Sequence, residues 1–247
     1  NVTTIGHYSI LGKYHNSSVT GYDMWLDDVY KTVKIHLRST GSNEIKIRAE
    51  TDKIIAGKWY HIVGTYDGTA TQKGVNFYID TIRNTTTLFT TDDLETNESI
   101  QSSARFLIGK GRDGSSSNEF SGRLSDVRVY DIKLTANDIK AIYYSSFDNP
   151  IDNYRINSYL DNYLVAHYPL DQTEGSFAID VSNNRNHGQL TNMDYTNKVK
   201  GLFGNCLDFD GTDDYIKYSS VSDIKTAAFT VSFWVYADVS SGTFNSA

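Results

Sequence analysis

Residues 180–188 form the stretch whose side chains are best suited to bind a metal ion. They contain an aspartate, a serine, three asparagines and a histidine, and they end in Gly188. Carboxylate, amide and backbone carbonyl oxygens are the ligands that calcium prefers, and a closing glycine permits the tight backbone that turns carbonyls inward. The stretch is therefore a candidate calcium-binding loop. The alternative is a loop that is closed by Asx turns and holds no metal.

The sequence patterns typical of catalysis are missing. Glycoside hydrolases of the jelly-roll type place carboxylates at alternate positions of one strand, and a run such as Glu-x-Asp-x-x-Glu does not occur. The nearest acidic run, residues 208–214, lies at a predicted strand end, where turn chemistry explains its aspartates. Serine-nucleophile, zinc-protease and phosphate-loop motifs are also absent. We expect His61 to be structural and the protein not to be an enzyme.

Composition and charge limit the class of protein further. The 247 residues include 18 tyrosines, 11 phenylalanines and only 2 prolines, which favours β-structure around a sizeable core. The net charge of −7 makes nucleic acid an unlikely partner, and we expect none. No apolar run reaches the ~18 residues of a membrane helix, so we also expect no membrane insertion. The single cysteine, Cys206, is expected to be buried.

The elements that must position these groups are organised around residues 57–80. Trp59, His61 and Val63 alternate with Tyr60 and Ile62, and a polar turn leads into a second short strand. Apolar residues occupy both faces of the first strand. We therefore predict a hairpin in the middle of one sheet, packed against a second sheet on one face and partly covered on the other.

The rest of the chain predicts more strands and one helix. Residues 7–50 contain four alternating segments separated by turn residues, and residues 120–131 form a strand that places Leu124, Asp126 and Arg128 on one face. Residues 134–144 form the helix candidate, with Thr135 as N-cap and Asp138 at the capping-box position. The predicted fold class is all-β, an antiparallel two-sheet β-sandwich with one short helix.

These segments resemble the laminin-G-like, concanavalin A-like jelly roll. Its motifs here are the strand 59–68 ending in Tyr-Asp-Gly and the closing strand and helix of residues 122–144. The segments at 164–171, 180–188, 204–216 and 229–236 are similar to the opening strands of the same family. The resemblance covers nearly the whole chain, but the opening strands follow the closing ones.

This order implies one domain over residues 1–247. Residues 1–144 would supply the later strands and the closing helix, residues 145–162 a linker, and residues 163–247 the opening strands. No motif occurs twice, which argues against two complete domains. The order fits a circular permutation, one period of a tandem array cut within a loop, or completion by neighbouring molecules. We expect residues 229–236 to pack in the same sandwich as residues 8–14, with the two ends of the chain close together.

The resemblance also implies a set of calcium ligands. In similar family members a structural calcium is held by the loop that corresponds to residues 180–188 and by an acidic residue of the closing strand. The corresponding residues here are Asp180, Asn183, His187 through its carbonyl, and Asp126. The family usually has glycine after the serine of this loop, and Asn183 and Asn184 stand there instead.

The function that the resemblance implies is non-catalytic recognition or adhesion at an extracellular or virion surface, with a glycan or another cell-surface ligand as partner. The alternatives are a structural module that binds neighbouring copies of itself and a divergent glycoside hydrolase. Tyr14, Tyr22, Trp25 and Tyr30 are aromatic residues that could contact a sugar, and the loop 109–119 is a further possible contributor. Core packing is the simpler explanation for Trp25, Trp59 and Trp234.

Overall fold

The computed structural model describes residues 7–15, 20–27, 31–39, 43–84, 86–92, 94, 100–113, 119–147, 159–172, 175–218 and 228–238. Their strands, numbered in chain order, form two sheets. Sheet A contains β1 (His7–His15), β2 (Gly21–Asp27), β3 (Thr32–Arg38), β4 (Glu44–Ala49), β8 (Thr86–Asp92), β9 (Phe106–Ile108), β10 (Arg112–Asp113), β13 (Phe177–Ala178), β14 (Gly188–Thr191) and β17 (Tyr215–Tyr218). Sheet B contains β5 (Trp59–Asp67), β6 (Asn76–Ile79), β7 (Ile82–Asn84), β11 (Ser121–Tyr130), β12 (Leu164–Tyr168), β15 (Lys198–Lys200), β16 (Asn205–Asp210) and β18 (Ala228–Ala237).

The two sheets pack face to face around one large apolar core. Their named strand pairs are antiparallel apart from the short parallel pair of β1 with β10. The order in sheet A is β13-β14-β17-β9-β1-β2-β3-β4-β8, and the order in sheet B is β15-β16-β11-β18-β5-β6-β7, with β12 paired to β11. One α-helix, α1 (Ala136–Ser145), is present among the described residues, together with 3₁₀ turns at Gln72–Gly74, Leu160–Tyr163 and Tyr195–Asn197. The predicted all-β sandwich with one short helix is confirmed.

The hairpin of β5 and β6 lies inside sheet B, as its sequence predicts. β5 is hydrogen-bonded to β18 on one side and to β6 on the other. Ile62 of β5 faces the core between the sheets, whereas Val63 faces outward and packs under α1. Both faces of β5 are covered over this length, which explains why its residues are apolar on both faces.

The C-terminal part of the chain completes the sheet made by the N-terminal part. β18 is inserted between β5 and β11, and its partners run from Tyr236 opposite Trp59 to Ala228 opposite Asp67. Phe229 of β18 stacks on Tyr22 of β2 across the core, with ring centroids 4.8 Å apart. Strands from both parts of the chain thus share one core, in agreement with the expected packing of residues 229–236 and 8–14. Residues 1–6 and 239–247 lie outside the described residues, so the proximity of the ends and the permuted single domain stay predictions.

A capping box stabilises the N-terminus of helix α1. The Thr135 hydroxyl accepts a hydrogen bond from the backbone N–H of Asp138, and the Asp138 carboxylate accepts one from the backbone N–H of Thr135. Ile139 and Ile142 are fully buried on the helix face that packs against the outer face of sheet B. The predicted cap is confirmed, and the helix covers about half the length of β5.

A β-bulge in β11 changes the predicted side-chain alternation. The register with β18 shifts between Ser125 and Arg128, and Asp126 has a positive φ of 53°. Leu124 therefore faces the core, whereas Arg128 faces outward. The prediction that both residues share a face is wrong, because the extra residue of a bulge moves every later side chain to the opposite face.

Both ends of the linker predicted over residues 145–162 are structured. Ser145 is the last residue of α1, and Leu160 is 4% exposed within the cluster under the helix. An apolar side chain at position 160 can be buried there because the 3₁₀ turn brings it back onto sheet B. Residues 148–158 lie outside the described residues.

Candidate functional site

Asp180 organises the loop that the sequence identifies as a metal-binding candidate. Its Oδ1 accepts hydrogen bonds from the backbone N–H groups of His167 and Ser182, both at 2.8 Å. Its Oδ2 accepts hydrogen bonds from the Ser182 hydroxyl at 2.8 Å and from the Asn186 N–H at 2.7 Å. Asp180 is 1% exposed. The carboxylate thus closes the loop through its own hydrogen bonds, in the manner of an Asx turn.

Asp126, the predicted ligand from β11, forms an ion pair with the buried side chain of Arg128. Its two oxygens accept hydrogen bonds from Arg128 Nε at 2.8 Å and Nη2 at 3.0 Å, a bidentate pair. Oδ1 also contacts His167 Nε2 at 2.7 Å, and Oδ2 accepts a hydrogen bond from the Ser146 hydroxyl at 3.1 Å. Burial opposes ionisation of Asp126, but Arg128 and His167 outweigh it and hold the pKa of this carboxyl well below its usual range.

The four predicted ligands have different surroundings. His167 joins Asp126 and Asp180 through different ends, its ring and its backbone N–H. Asn183 is exposed, and the His187 ring accepts a hydrogen bond from the Asp180 N–H at 3.1 Å. All four oxygens of the two carboxylates accept two hydrogen bonds each, and Arg128 is adjacent, so a cation bound here would have to replace several of these hydrogen bonds. The calcium site stays a prediction.

A second group of carboxylates lies in the turn after β16. Ligand oxygens of Asp210, Asp213 and Asp214 all lie within 4.8 Å of one another. Asp214 is 2% exposed, and its Oδ2 accepts hydrogen bonds from Asn197 Nδ2 and the Asp210 N–H, both at 3.1 Å. Burial and the neighbouring aspartates raise the pKa of Asp214 to about 6. These bonds agree with the turn role expected for the aspartates 210–214, whereas Asp208 lies within β16.

Four side chains form a row across the outer face of sheet B. Trp59 of β5 lies opposite Tyr236 of β18. Arg123 of β11 lies opposite Tyr236 on one side and Asp208 of β16 on the other. Their neighbours in sequence, such as Leu124 and Val235, point into the core. We call Trp59, Tyr236, Arg123 and Asp208 the outer row.

The side chains of the outer row contact one another and remain partly exposed. The rings of Trp59 and Tyr236 have centroids 5.7 Å apart. The Arg123 guanidinium lies 5.0 Å from the centroid of the Tyr236 ring, and its Nε is 3.6 Å from Asp208 Oδ1. At ~4.8 Å between neighbouring strands, the row is about 14 Å long. It combines two aromatic faces with a hydrogen-bond donor and an acceptor.

The outer row corrects one sequence expectation. Core packing was the simpler explanation for Trp59, but the structure leaves this side chain partly exposed beyond the reach of α1. Trp234 lies on the same face two residues before Tyr236 and is 2% exposed, and Trp25 is 8% exposed. Alternation within β5 indicated that Trp59 shares a face with His61. It could not show which part of that face the helix leaves uncovered.

The other aromatic candidates for sugar contact are placed differently. Tyr14 is 4% exposed on sheet A, and Tyr22 lies in the core against Phe229. Tyr30 and residues 114–118 of the candidate loop lie outside the described residues. Trp59, which the sequence assigned to core packing, is therefore more exposed than the described aromatic candidates Tyr14, Tyr22 and Trp25.

Comparison with known proteins agrees with this geometry. A laminin G profile of the concanavalin A-like lectin/glucanases superfamily matches residues 3–140, more than half of the chain. The chain belongs to this superfamily. It is also 26% identical over 118 residues to usherin of Mus musculus, a match that spans 47% of this chain and 2% of usherin. No significantly similar solved structure is found.

Membership in the concanavalin A-like superfamily favours a non-catalytic binding module. The superfamily name includes glucanases as well as lectins, so two groups of side chains with catalytic potential are described next. In the part of the chain that the structure describes, no helix is both long and apolar enough to cross a bilayer.

His61 and Ser232 form a histidine–hydroxyl pair that is closed to substrate. His61 Nε2 lies 2.8 Å from the Ser232 hydroxyl, and the two residues are 0% and 1% exposed. Burial lowers the pKa of His61 to about 3, with Asp126 opposing and Arg128 adding to the effect. The imidazole is therefore neutral near pH 7, and Tyr143 and Trp234 cover it. This pair is structural, as expected for His61.

A pair of carboxylates flanks His36 on the outer face of sheet A, and sequence analysis missed it. His36 Nδ1 lies 3.3 Å from Asp23 Oδ1, and Nε2 lies 3.0 Å from Glu44 Oε2. These contacts keep the carboxylates within about 10 Å of each other, a separation at which carboxyl pairs act in glycoside hydrolysis. The pair comes from two strands, β2 and β4, so no motif within one strand could reveal it. Asp23 and His36 are each 2% exposed, so in this structure they are nearly as closed to substrate as His61, and only Glu44 is partly exposed.

Proposed function

We propose that this protein is a non-catalytic recognition module of an extracellular or virion-surface protein and that it binds carbohydrate at the outer row. The observation that carries the proposal is the alignment of Trp59, Tyr236, Arg123 and Asp208 at one level of sheet B, each partly exposed. Superfamily membership supports a binding role.

The chemistry of the row suits a sugar. Aromatic faces pack against the C–H surface of a pyranose ring, while a guanidinium and a carboxylate donate to and accept from its hydroxyls. Arg123 is already held by its contacts with Tyr236 and Asp208, so little side-chain entropy is lost on binding. The row lies on a rigid sheet rather than in a deep pocket. Binding at a single copy is therefore shallow and weak, and several copies displayed together give useful avidity.

The test is a glycan array probed with the purified chain and with a multimerised form. We expect binding to appear or strengthen on multimerisation. Trp59→Ala should abolish it, because an aromatic platform of this kind contributes on the order of 1–3 kcal/mol at the contact. Ile82→Ala is the matched control, since Ile82 is 69% exposed on β7 of the same sheet.

Two outcomes would contradict the proposal. Binding that survives Trp59→Ala with its affinity unchanged would remove the outer row as the site. If neither the purified chain nor its multimerised form binds any glycan on the array, and the chain self-associates in solution, a module that binds neighbouring copies would be favoured. Far-ultraviolet circular dichroism of each variant would show that loss of binding is not loss of fold.

A divergent glycoside hydrolase is the second candidate, because Asp23 and Glu44 flank His36 on sheet A. A hydrolase would release product from a bound glycan, and Asp23→Asn and Glu44→Gln would each stop the release. A binding module gives no product with any glycan that it retains. Product analysis of every array hit therefore separates the two functions.

A further inference from the structure

The two long sides of the outer row differ in chemistry, one being apolar and the other acidic. One level along the strands, Trp234 of β18 lies under Phe203 and Phe147, with ring centroids 4.9 and 5.6 Å away. Phe147 is 53% exposed, the adjacent Leu202 is 41% exposed, and Phe203 is partly exposed. Phe147 and Phe203 also contact each other at 4.8 Å. We call Phe147, Leu202 and Phe203 the apolar ridge.

The apolar ridge lies next to the outer row. Residues two positions apart on a strand are separated by about 6.6 Å, so the level of Trp234 is next to the level of Tyr236. Phe147 and Phe203 of the ridge lie against Trp234 and so stand above that level, and Leu202 precedes Phe203 in the chain. Arg123 and Trp59 flank the Tyr236 ring. A sugar ring lying across the exposed edges of the outer row would therefore have an apolar wall along one side.

The opposite side of the row is acidic. Ser121 of β11 pairs with Asp210, and Asp238 follows the end of β18. Burial raises the pKa of Asp208, an effect that Asp238 increases and Arg123 opposes. Arg123, the cation within the row, already faces Asp208. An anionic sugar such as a uronic or sialic acid would meet repulsion here, so the surroundings favour a neutral ligand.

We propose that the outer row is specific for neutral N-acetylated sugars, with the acetamido methyl group packed against the apolar ridge. This inference rests on the proposed carbohydrate-binding function and specifies its ligand. A plain hexose presents only hydroxyls to the ridge, and these would lose water there without gaining a partner. An acetamido group instead places a methyl against Leu202 or Phe203. Its amide N–H and carbonyl stay on the polar side of the ring, toward Arg123 and Asp208.

The test compares two oligosaccharides that differ only at this group, chitotetraose and cellotetraose, by isothermal titration into the full chain. Burial of one methyl group predicts a preference of about fourfold for chitotetraose, and more if two acetamido groups engage. Phe203→Ala and Leu202→Ala should each lower the ratio of chitotetraose affinity to cellotetraose affinity toward one. Each should change the cellotetraose affinity itself by less than about twofold. Phe177→Ala is the control, since Phe177 is 50% exposed at the far edge of sheet A.

The outcomes separate this inference from the function on which it rests. Equal affinity for the two oligosaccharides, or a preference that both ridge variants retain, would overturn the N-acetyl specificity and leave carbohydrate binding standing. Absence of binding to either oligosaccharide, together with a silent glycan array, would overturn both. A preference that falls in Phe203→Ala and Leu202→Ala but not in Phe177→Ala would support the proposal.

Discussion

At the scale of single residues, Asp126, a predicted calcium ligand, forms a buried ion pair with Arg128. Asp126 is 9% exposed and Arg128 is 7% exposed, so the pair is removed from water as a unit. Burial disfavours the charge of Arg128, yet Asp126 outweighs it and raises the pKa of the guanidinium. The two charges stabilise each other, and the loss of either leaves the other buried alone.

The first prediction concerns Asp126→Asn. This change removes the counterion of buried Arg128 and should lower the free energy of unfolding by about 3–5 kcal/mol. If the ion pair is the reason, the loss measured by urea denaturation is the same in calcium and in chelator. The control is Asp171→Asn at an exposed position, which should have no measurable effect.

Thermal melting with calcium and with chelator tests the calcium site predicted from the sequence. A cation bound only by the native state would raise the melting temperature of the unmodified chain in excess calcium, and Asp126→Asn or Asp180→Asn would abolish that rise. Identical melting curves with calcium and with chelator would remove the site.

The second prediction follows from the raised pKa of Asp214. This carboxyl titrates near 6 in the folded chain and near 3.8 unfolded, so the folded state binds its proton more tightly. Its contribution is therefore full below about pH 3.8 and is lost as the pH rises through 6. Asp214→Asn should raise the free energy of unfolding by about 1 kcal/mol at pH 7.5, after allowance for solvent screening, and by nothing near pH 4. An equal effect at both pH values in urea denaturation would contradict this account.

At the scale of elements, helix α1 matters because it decides how much of sheet B is covered. Its buried face packs on Val63, Tyr78 and Tyr130 and ends one level before the outer row. The helix begins where the capping box of Thr135 and Asp138 satisfies the first backbone N–H groups. A local sequence signal thus sets one border of the exposed face.

The third prediction tests this cap. Thr135→Ala removes the hydroxyl that accepts from the Asp138 N–H and should cost about 1 kcal/mol of stability. Lys140→Ala, at an exposed position within the helix, is the matched control and should change the urea midpoint little. If both variants unfold at the same denaturant concentration, the cap does not stabilise the helix.

At the scale of the whole molecule, β18 is the strand on which closure of the sandwich depends. It forms nine pairs with β5 and seven with β11. Its loss would expose two unpaired strand edges and open the core above Tyr22. The arrangement supports the proposal that residues 163–247 provide the opening strands of one jelly roll.

The fourth prediction is that a rearranged chain folds equally well. A variant that begins at residue 159, runs to 247, continues through a flexible linker of about ten residues and ends at 147 restores the family order. We expect a monomer whose melting temperature lies within a few degrees of the original, because every described strand keeps its neighbours. An unfolded product, or a dimer by light scattering, would instead favour completion of the fold by a second molecule.

The sequence by itself determined the fold class, the central hairpin and the capped helix. Alternation in residues 57–80 and the Thr135–Asp138 cap depend on near neighbours, so both were predictable from local spacing. The tertiary structure alone decided the groups that form sites. The outer row joins Trp59, Arg123, Asp208 and Tyr236 from four strands, and the carboxylates beside His36 come from two. The bulge at Asp126 then reversed the face of Arg128. Register between distant strands depends on long-range packing and on single inserted residues, which local patterns do not encode.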